Sequence, residues 1–461
     1  MPSQPRQVDV AEFISARPIG RYQVLVFLLC VAVVVFDGYD TQAIGYVAPY
    51  MLRELNLTRA DLGPIFSAAL IGSGLGSLVT GPIADRIGRK PLMICAVLIF
   101  GVFTFLTAQS SSVRELLVYR FLAGLGLGGA LANAAALVVE YTPRARQTMA
   151  VVWLFLGFSL GSMIGGFLSS SIIAAFTWRS IFYIGAIVPI GLVPVLILWL
   201  PESIRFVTLR GSDQRSVAAM IGRIDPSYKP AADTEFVTNE PRAEEFPVKE
   251  LFKGNRTLGT LLLWTVSFMS LLAIFFLQNW LPTIAADAGL KIQTAVLATT
   301  FIQVGSITCS LFIGWPMGRF GQAPVLAVMY FIGWLAITSI GYTLLEPSLL
   351  IPVCFVVGCC IAAGQNGINA VAATFYPTAM RVTGTGWTQG IGRIGAIISP
   401  FIGSMMIATK WPHASMFIVI GVPSLVASAA FIVLAARYAA TRAPRLPLAA
   451  KPVTGTSVSN V

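Results

Sequence analysis

Gly81-Pro82-Ile83-Ala84-Asp85-Arg86-Ile87-Gly88-Arg89-Lys90-Pro91 joins two apolar runs in the first half of the chain. Gly314-Trp315-Pro316-Met317-Gly318-Arg319-Phe320-Gly321-Gln322-Ala323-Pro324 joins two more in the second. Gly, Arg, Gly and Pro recur at one offset: 314 − 81, 319 − 86, 321 − 88 and 324 − 91 are each 233. Pro143 and Pro377, each just past an apolar run, are 377 − 143 = 234 apart. The chain is therefore built from two alike halves. Twelve apolar runs, at 22–47, 62–83, 91–109, 114–138, 148–172, 180–200, 257–282, 293–316, 324–344, 349–372, 384–408 and 413–436, make up these halves. Each has about the length that carries a helix across a bilayer, roughly 20 residues.

Composition agrees. The 461 residues are 56% hydrophobic and 11% charged, against about 25% charged for a soluble domain. That excludes a soluble enzyme and a disordered chain. The apolar runs are continuous, whereas the strands of a membrane barrel alternate. The six cysteines lie inside apolar runs, without metal-ligand spacing to the one histidine, His413, and read as small hydrophobes. The net charge of +11 is spread between the spans, so it does not form the basic face that nucleic acid requires. No Walker loop and no catalytic constellation is present, so no enzyme activity, cofactor or metal is expected.

The connecting segments set the orientation. With the N-terminus in the cytoplasm, 23 Lys and Arg fall in cytoplasmic segments and 6 in external ones. That is the bias of the positive-inside rule. The expected organisation is a cytoplasmic tail (1–21), a six-helix bundle (22–200), a cytoplasmic linker with short surface helices (201–256), a second six-helix bundle (257–436) and a cytoplasmic tail (437–461). The fold class is an all-α membrane protein of 12 transmembrane helices in two pseudo-symmetric halves, and parallel six-helix repeats of this kind are a transporter architecture.

With these motifs the chain resembles the major facilitator superfamily, through Gly81-x3-Asp85-Arg86-x-Gly88-Arg89-Lys90. Further motifs are Asp37-Gly38-Tyr39-Asp40 in span 1 and Arg120-Phe-Leu-Ala-Gly124-Leu-Gly126-Leu-Gly128-Gly129 in span 4. Glu140-Tyr141-Thr-Pro143 follows, then Pro201-Glu202-Ser203, and Gly390-Ile-Gly392-Arg393-x-Gly395 lies in span 11. Together these resemble the bacterial aromatic acid/proton symporters, over nearly the whole chain outside the tails and the linker. The resemblance implies uptake of a hydroxybenzoate-like carboxylate with protons by alternating access, in the inner membrane, by a monomer. Other readings stay open: a symporter of another organic anion such as a dicarboxylate, a drug/proton exporter, or a non-transporting receptor. Span 5 lacks the Gly-Pro pair that marks exporters.

Several residues are candidates for the chemistry. Asp37 and Asp40 lie three apart and about 22–27 Å along span 1 from Tyr22. Ionisable groups at such depth are functional by default. They are candidates for proton coupling with Arg120, which sits near the same height in span 4. A static ion pair is the plain alternative. Arg393, near mid-membrane among glycines, presents a permanent charged fork suited to a carboxylate. Gln365, Asn366 and Asn369 in span 10 and Asn133 in span 4 offer amides to a substrate or to one another. Trp280 and Trp387 offer rings on which an aromatic substrate stacks. Asp85, Arg86, Arg89, Glu140 and Arg144 form an expected cytoplasmic gate. Gly318 stands where the second-half motif would carry its acidic residue, so any matching gate there is weaker.

Overall fold

The computed structural model describes residues 6–173, 175–210, 214–228, 230, 234–238, 248–377 and 380–438. Twelve helices in it are long and apolar enough to cross a membrane. In the first half these are α2 (Arg21–Glu54), α3 (Arg59–Ile87), α4 (Arg89–Gln109), α5 (Val113–Tyr141), α6 (Gln147–Ile172) and α7 (Arg179–Trp199). The second half has α10 (Thr257–Asp287), α11 (Ile292–Phe312), α13 (Gln322–Thr343), a span of α14 (Pro347–Val357) and α15 (Ala363–Phe375), α16 (Arg381–Ala408) and α17 (His413–Tyr438). A π-helical turn, Gly358–Ala362, joins α14 to α15. A short helix, α12 (Gly314–Phe320), follows α11 where the sequence suggested one run to residue 316. Ile313 marks the break between them.

The internal repeat is visible in the backbone. Gly88 between α3 and α4 has φ +99°, and Gly321 between α12 and α13 has φ +96°. That conformation is disfavoured for any residue with a Cβ, so glycine is required at both turns. The halves also share a helix crossing. A Cβ on Gly72 or Gly124 would run into backbone of α5 or α3, and one on Gly305 or Gly358 would run into Phe355 or Ile302. Small residues here let helices approach backbone to backbone.

The segments read as a tail and a linker are partly folded together. β1 (Arg6–Asp9) pairs in parallel with β2 (Thr234–Val237), with Val8 opposite Phe236. α1 (Val10–Ser15) is capped by the Asp9 carboxylate, which accepts from the N–H groups of Ala11 and Glu12. Its Phe13 and Ile14, with Ile204 of α8 (Ile204–Leu209) and Val217 and Ile221 of α9 (Gln214–Ile224), join the same apolar core as Val26 and Leu29 of α2. Arg17 bonds Asp225 at 2.6 Å and lies over the Phe13 ring.

The face that carries α1 and the linker is called the linker side. On the opposite, far side the halves touch. Ser67 Oγ of α3 donates to Ile397 O of α16 at 2.8 Å, and a Cβ on Gly63 would lie 2.6 Å from Ser404 Oγ. Toward the linker side the same helices part: around Gly81 of α3 and Gly386 and Gly390 of α16 the space is open. An open cleft of about 490 Å³ on that side is lined by Arg89, Glu140 and Arg144 and, from the second half, by Thr385. The conformation is closed on the far side and open on the linker side.

Candidate functional site

The Asp37–Asp40 segment sits where α2 meets α6. A Cβ on Gly38 would strike Phe158 O, and Ser162 Oγ donates to Gly38 O at 2.9 Å. The glycine between the carboxylates is thus demanded by packing. Three residues on a helix turn about 300°, so the two acids diverge by roughly 60°. That divergence separates their surroundings. Asp40 points into its own half. Its Oδ2 accepts from Arg120 at 2.9 Å and its Oδ1 from Thr104 Oγ1 at 2.8 Å. Arg120 also donates to Asp40 O at 3.2 Å. Neither side chain of this pair is exposed, and the guanidinium lies 5.7 Å from the Phe182 ring. Tyr39 is anchored separately, its OH donating to Ile181 O at 2.9 Å.

Asp37 has different surroundings. It is 4% exposed, and the hydrogen bond it accepts from Thr41 Oγ1 is long at 3.3 Å. Its main opposite charge is Arg393 of the second half. The Arg393 guanidinium donates from one nitrogen to Ser73 O and Ser77 Oγ, both at 3.3 Å. A carboxylate of one half and an arginine of the other thus lie within electrostatic reach at mid-depth without a direct bond between them among the described residues, and the bonds that Arg393 does make, to Ser73 and Ser77, are long enough to be exchanged for better ones.

The remaining candidates divide. Gln365 Oε1 and Asn369 Oδ1 are buried with no partner among the described residues. Both are polar groups that a ligand would satisfy. Asn366 instead bonds Ser310 Oγ of α11 at 3.0 Å, and Asn133 bonds Gly129 O of its own helix at 2.8 Å. Trp387 is 43% exposed and stacks on Trp264 at 5.8 Å. Trp280 is fully buried on the far side, edge-on to Phe66 at 5.3 Å, so it plugs the closed face.

The linker-side charges form a network within the first half. Arg89 Nε lies 2.9 Å from Glu140 Oε1, and Ser203 Oγ donates to Glu140 Oε2 at 2.6 Å. Glu202 accepts from the N–H groups of Arg89 (2.7 Å), Lys90 (3.2 Å) and Ser203 (2.7 Å). It thereby sits on the positive end of the α4 dipole. Arg86 supplies its carbonyl to Arg210 at 2.7 Å. The Arg144 N–H meets Ser15 Oγ at 3.4 Å. Asp85 is exposed near the linker-side end of α3.

Sequence reasoning passed over three features. Thr104, one of two threonines in the apolar run at 91–109, holds Asp40. Glu202, in the Pro201-Glu202-Ser203 motif, caps the start of α4. On the far side Arg59 of α3 grips Asp287 of α10 through two bonds of 2.7 Å. The only signal for that pair was one opposite charge at each of two span ends.

The model of the Major Facilitator Superfamily matches residues 30–400. The chain is 37% identical over 434 residues to the 4-hydroxybenzoate transporter PcaK of Pseudomonas aeruginosa, covering 94% of this chain and 97% of that protein. It is 37% identical over 437 residues to a gallate transporter of Pseudomonas putida, covering 95% and 96%. It is 29% identical over 431 residues to a benzoate transport protein of Acinetobacter baylyi, covering 91% of each.

Proposed function

The chain belongs to the major facilitator superfamily, and we propose that it imports a hydroxybenzoate-like aromatic carboxylate together with protons by alternating access. It is a multi-pass membrane transporter and not an enzyme. The relatives are named for small aromatic acids (4-hydroxybenzoate, gallate and benzoate), which supports the substrate class. The observation that carries the reading is a buried carboxylate, Asp37, within electrostatic reach of Arg393 of the other half, whose own bonds are long.

A carboxylate carried inward alone moves against the membrane potential, at about 2.3 kcal/mol per charge per 100 mV. A proton carried with it removes that cost. In the proposed cycle the substrate carboxylate takes the Arg393 fork, displacing the weak bonds to Ser73 and Ser77. Asp37 loses its counter-charge and takes up a proton. Both charges are then compensated, and the halves can rock. On the linker side the proton and the anion leave through the open cleft, and Asp37 returns to Arg393. Gln365 and Asn369 satisfy ring hydroxyls, and the exposed face of Trp387 meets the ring. We place the linker side, both termini and the network of Arg89, Glu140 and Arg144 in the cytoplasm, on the positive-inside count. Asp85 and Arg86 complete that gate when it closes.

Binding of 4-hydroxybenzoate and of its neutral amide to the purified protein tests the anion site. Wild type is expected to favour the acid strongly, and Arg393→Ala to lose that preference. A charged hydrogen bond contributes about 1.5–3 kcal/mol, so about tenfold or more in affinity is at stake. If Arg393→Ala binds the acid as tightly as wild type, Arg393 only packs helices and Arg120 becomes the candidate anion site.

A further inference from the structure

On the far side the halves close along α2 and α10, and the seam is polar where a dry contact is ordinarily apolar. Gln42 of α2 is completely buried, and neither its Oε1 nor its Nε2 has a partner among the described residues. One turn on, a Cβ on Gly45 would lie 2.7 Å from Gln278 O, so the two backbones are in contact. On α10, Gln278 Oε1, Asn279 Nδ2 and Thr283 Oγ1 are likewise unpaired, in side chains no more than 3% exposed. A buried polar group without a partner costs free energy that it recovers when hydrated. The seam therefore resists its own closure. The contacts that hold it shut lie at the rim. Arg59, the first residue of α3, and Asp287, the last of α10, form a two-pronged ion pair with both bonds at 2.7 Å. Gln293 Nε2 of α11 donates to Tyr50 OH of α2 at 3.2 Å. These contacts also join one half to the other.

We propose that the far-side gate is set by two opposed elements, the Arg59–Asp287 pair that closes it and the unpaired amides of the α2–α10 seam that favour opening. When the gate parts, Gln42, Gln278, Asn279 and Thr283 regain hydrogen bonds from water, or from the hydroxyl and carboxylate groups of an arriving anion. The two elements then act with opposite sign. Losing the rim pair opens the gate. Replacing the seam amides by apolar side chains of similar size closes it harder.

The test needs no substrate, so its failure leaves the aromatic-acid reading standing. Ile292, 8% exposed and packed on Tyr46 across the seam, is changed to cysteine in the full-length chain. Its labelling by a membrane-impermeant maleimide added on the far side is followed, with the parent carrying only its six native cysteines as blank. Arg59→Gln is expected to raise the labelling rate about two- to five-fold, the scale of a partly exposed ion pair. The charge exchange Arg59→Asp with Asp287→Arg is expected to restore it. Gln42→Met is expected to lower the rate below the starting protein, and Arg59→Gln with Gln42→Met to bring it back toward the baseline. Labelling is read only on the folded, membrane-inserted fraction, and the charge exchange and double variant expose a change caused by general loosening. Labelling unchanged by Arg59→Gln, or unchanged or raised by Gln42→Met, overturns the proposal.

Discussion

Asp37 and Asp40 differ by three residues in sequence and by their whole electrostatic setting in the fold. Asp40 is locked to Arg120 and Thr104 without exposure, and such a pair costs its desolvation whether or not it moves. Substituting Asp40→Asn leaves Arg120 buried without its counter-charge, a loss of about 3–5 kcal/mol. That variant should show a lowered melting temperature in detergent as well as lost uptake. Asp37→Asn removes a group held by one long bond, and Arg393, which is half-buried, keeps its bonds to Ser73 and Ser77, so this variant should keep its melting temperature while losing uphill uptake. Equal thermal losses in the two variants would count against this division of labour. Sequence spacing alone placed the acids together. It did not separate their roles, because the residual 60° of turn matters only once the neighbouring helices are in place. Arg120 was legible as a partner from its height in span 4. Thr104 was not, since a threonine in an apolar helix can bond its own backbone, as Thr107 three residues on does with Phe103 O.

Among elements, the linker-side loop of α3 and α4 was the clearest sequence signal, and it shows a gate at rest. Asp85 is exposed near the end of α3, while Glu202 holds the start of α4. Asp85→Asn should lower the transport rate strongly and leave substrate affinity within a few-fold, because it acts on the balance between conformations. Wild-type rates in that variant would contradict it. The packing of β1 and α1 onto the linker was not legible. Four-residue strands carry little pattern, and the pairing partner lies more than 200 residues away. Arg17 and the Ser227 hydroxyl hold the Asp225 carboxyl below the usual aspartate range, the Ser227 bond being the larger cause. A depressed carboxyl contributes fully above its ordinary range and loses that contribution as pH falls through the folded value. Docking of the tail should therefore be intact at neutral pH and weaken only in strong acid. Limited proteolysis of residues near Arg17 against pH checks this, and cleavage that rises on going from acid to neutral pH would contradict it.

For the whole molecule, the repeat at an offset of 233 announced two alike halves, and Gly88 and Gly321 carry it into the backbone. Which side stands open was not legible. One sequence must stabilise both arrangements of the same two halves, so the motifs describe both gates and choose neither. The far-side closure rests on the Arg59–Asp287 pair and on backbone contacts, neither of which has a periodic signature. The central claim is that the charge crossing between Asp37 and Arg393 ties proton entry to anion entry. Its most direct test is uptake of labelled 4-hydroxybenzoate into cells, with and without a protonophore, for the wild type and Asp37→Asn. The account predicts accumulation by the wild type that collapses with the proton gradient, and no accumulation by Asp37→Asn although the protein reaches the membrane. Accumulation that survives the protonophore, or that persists undiminished in Asp37→Asn, would contradict it.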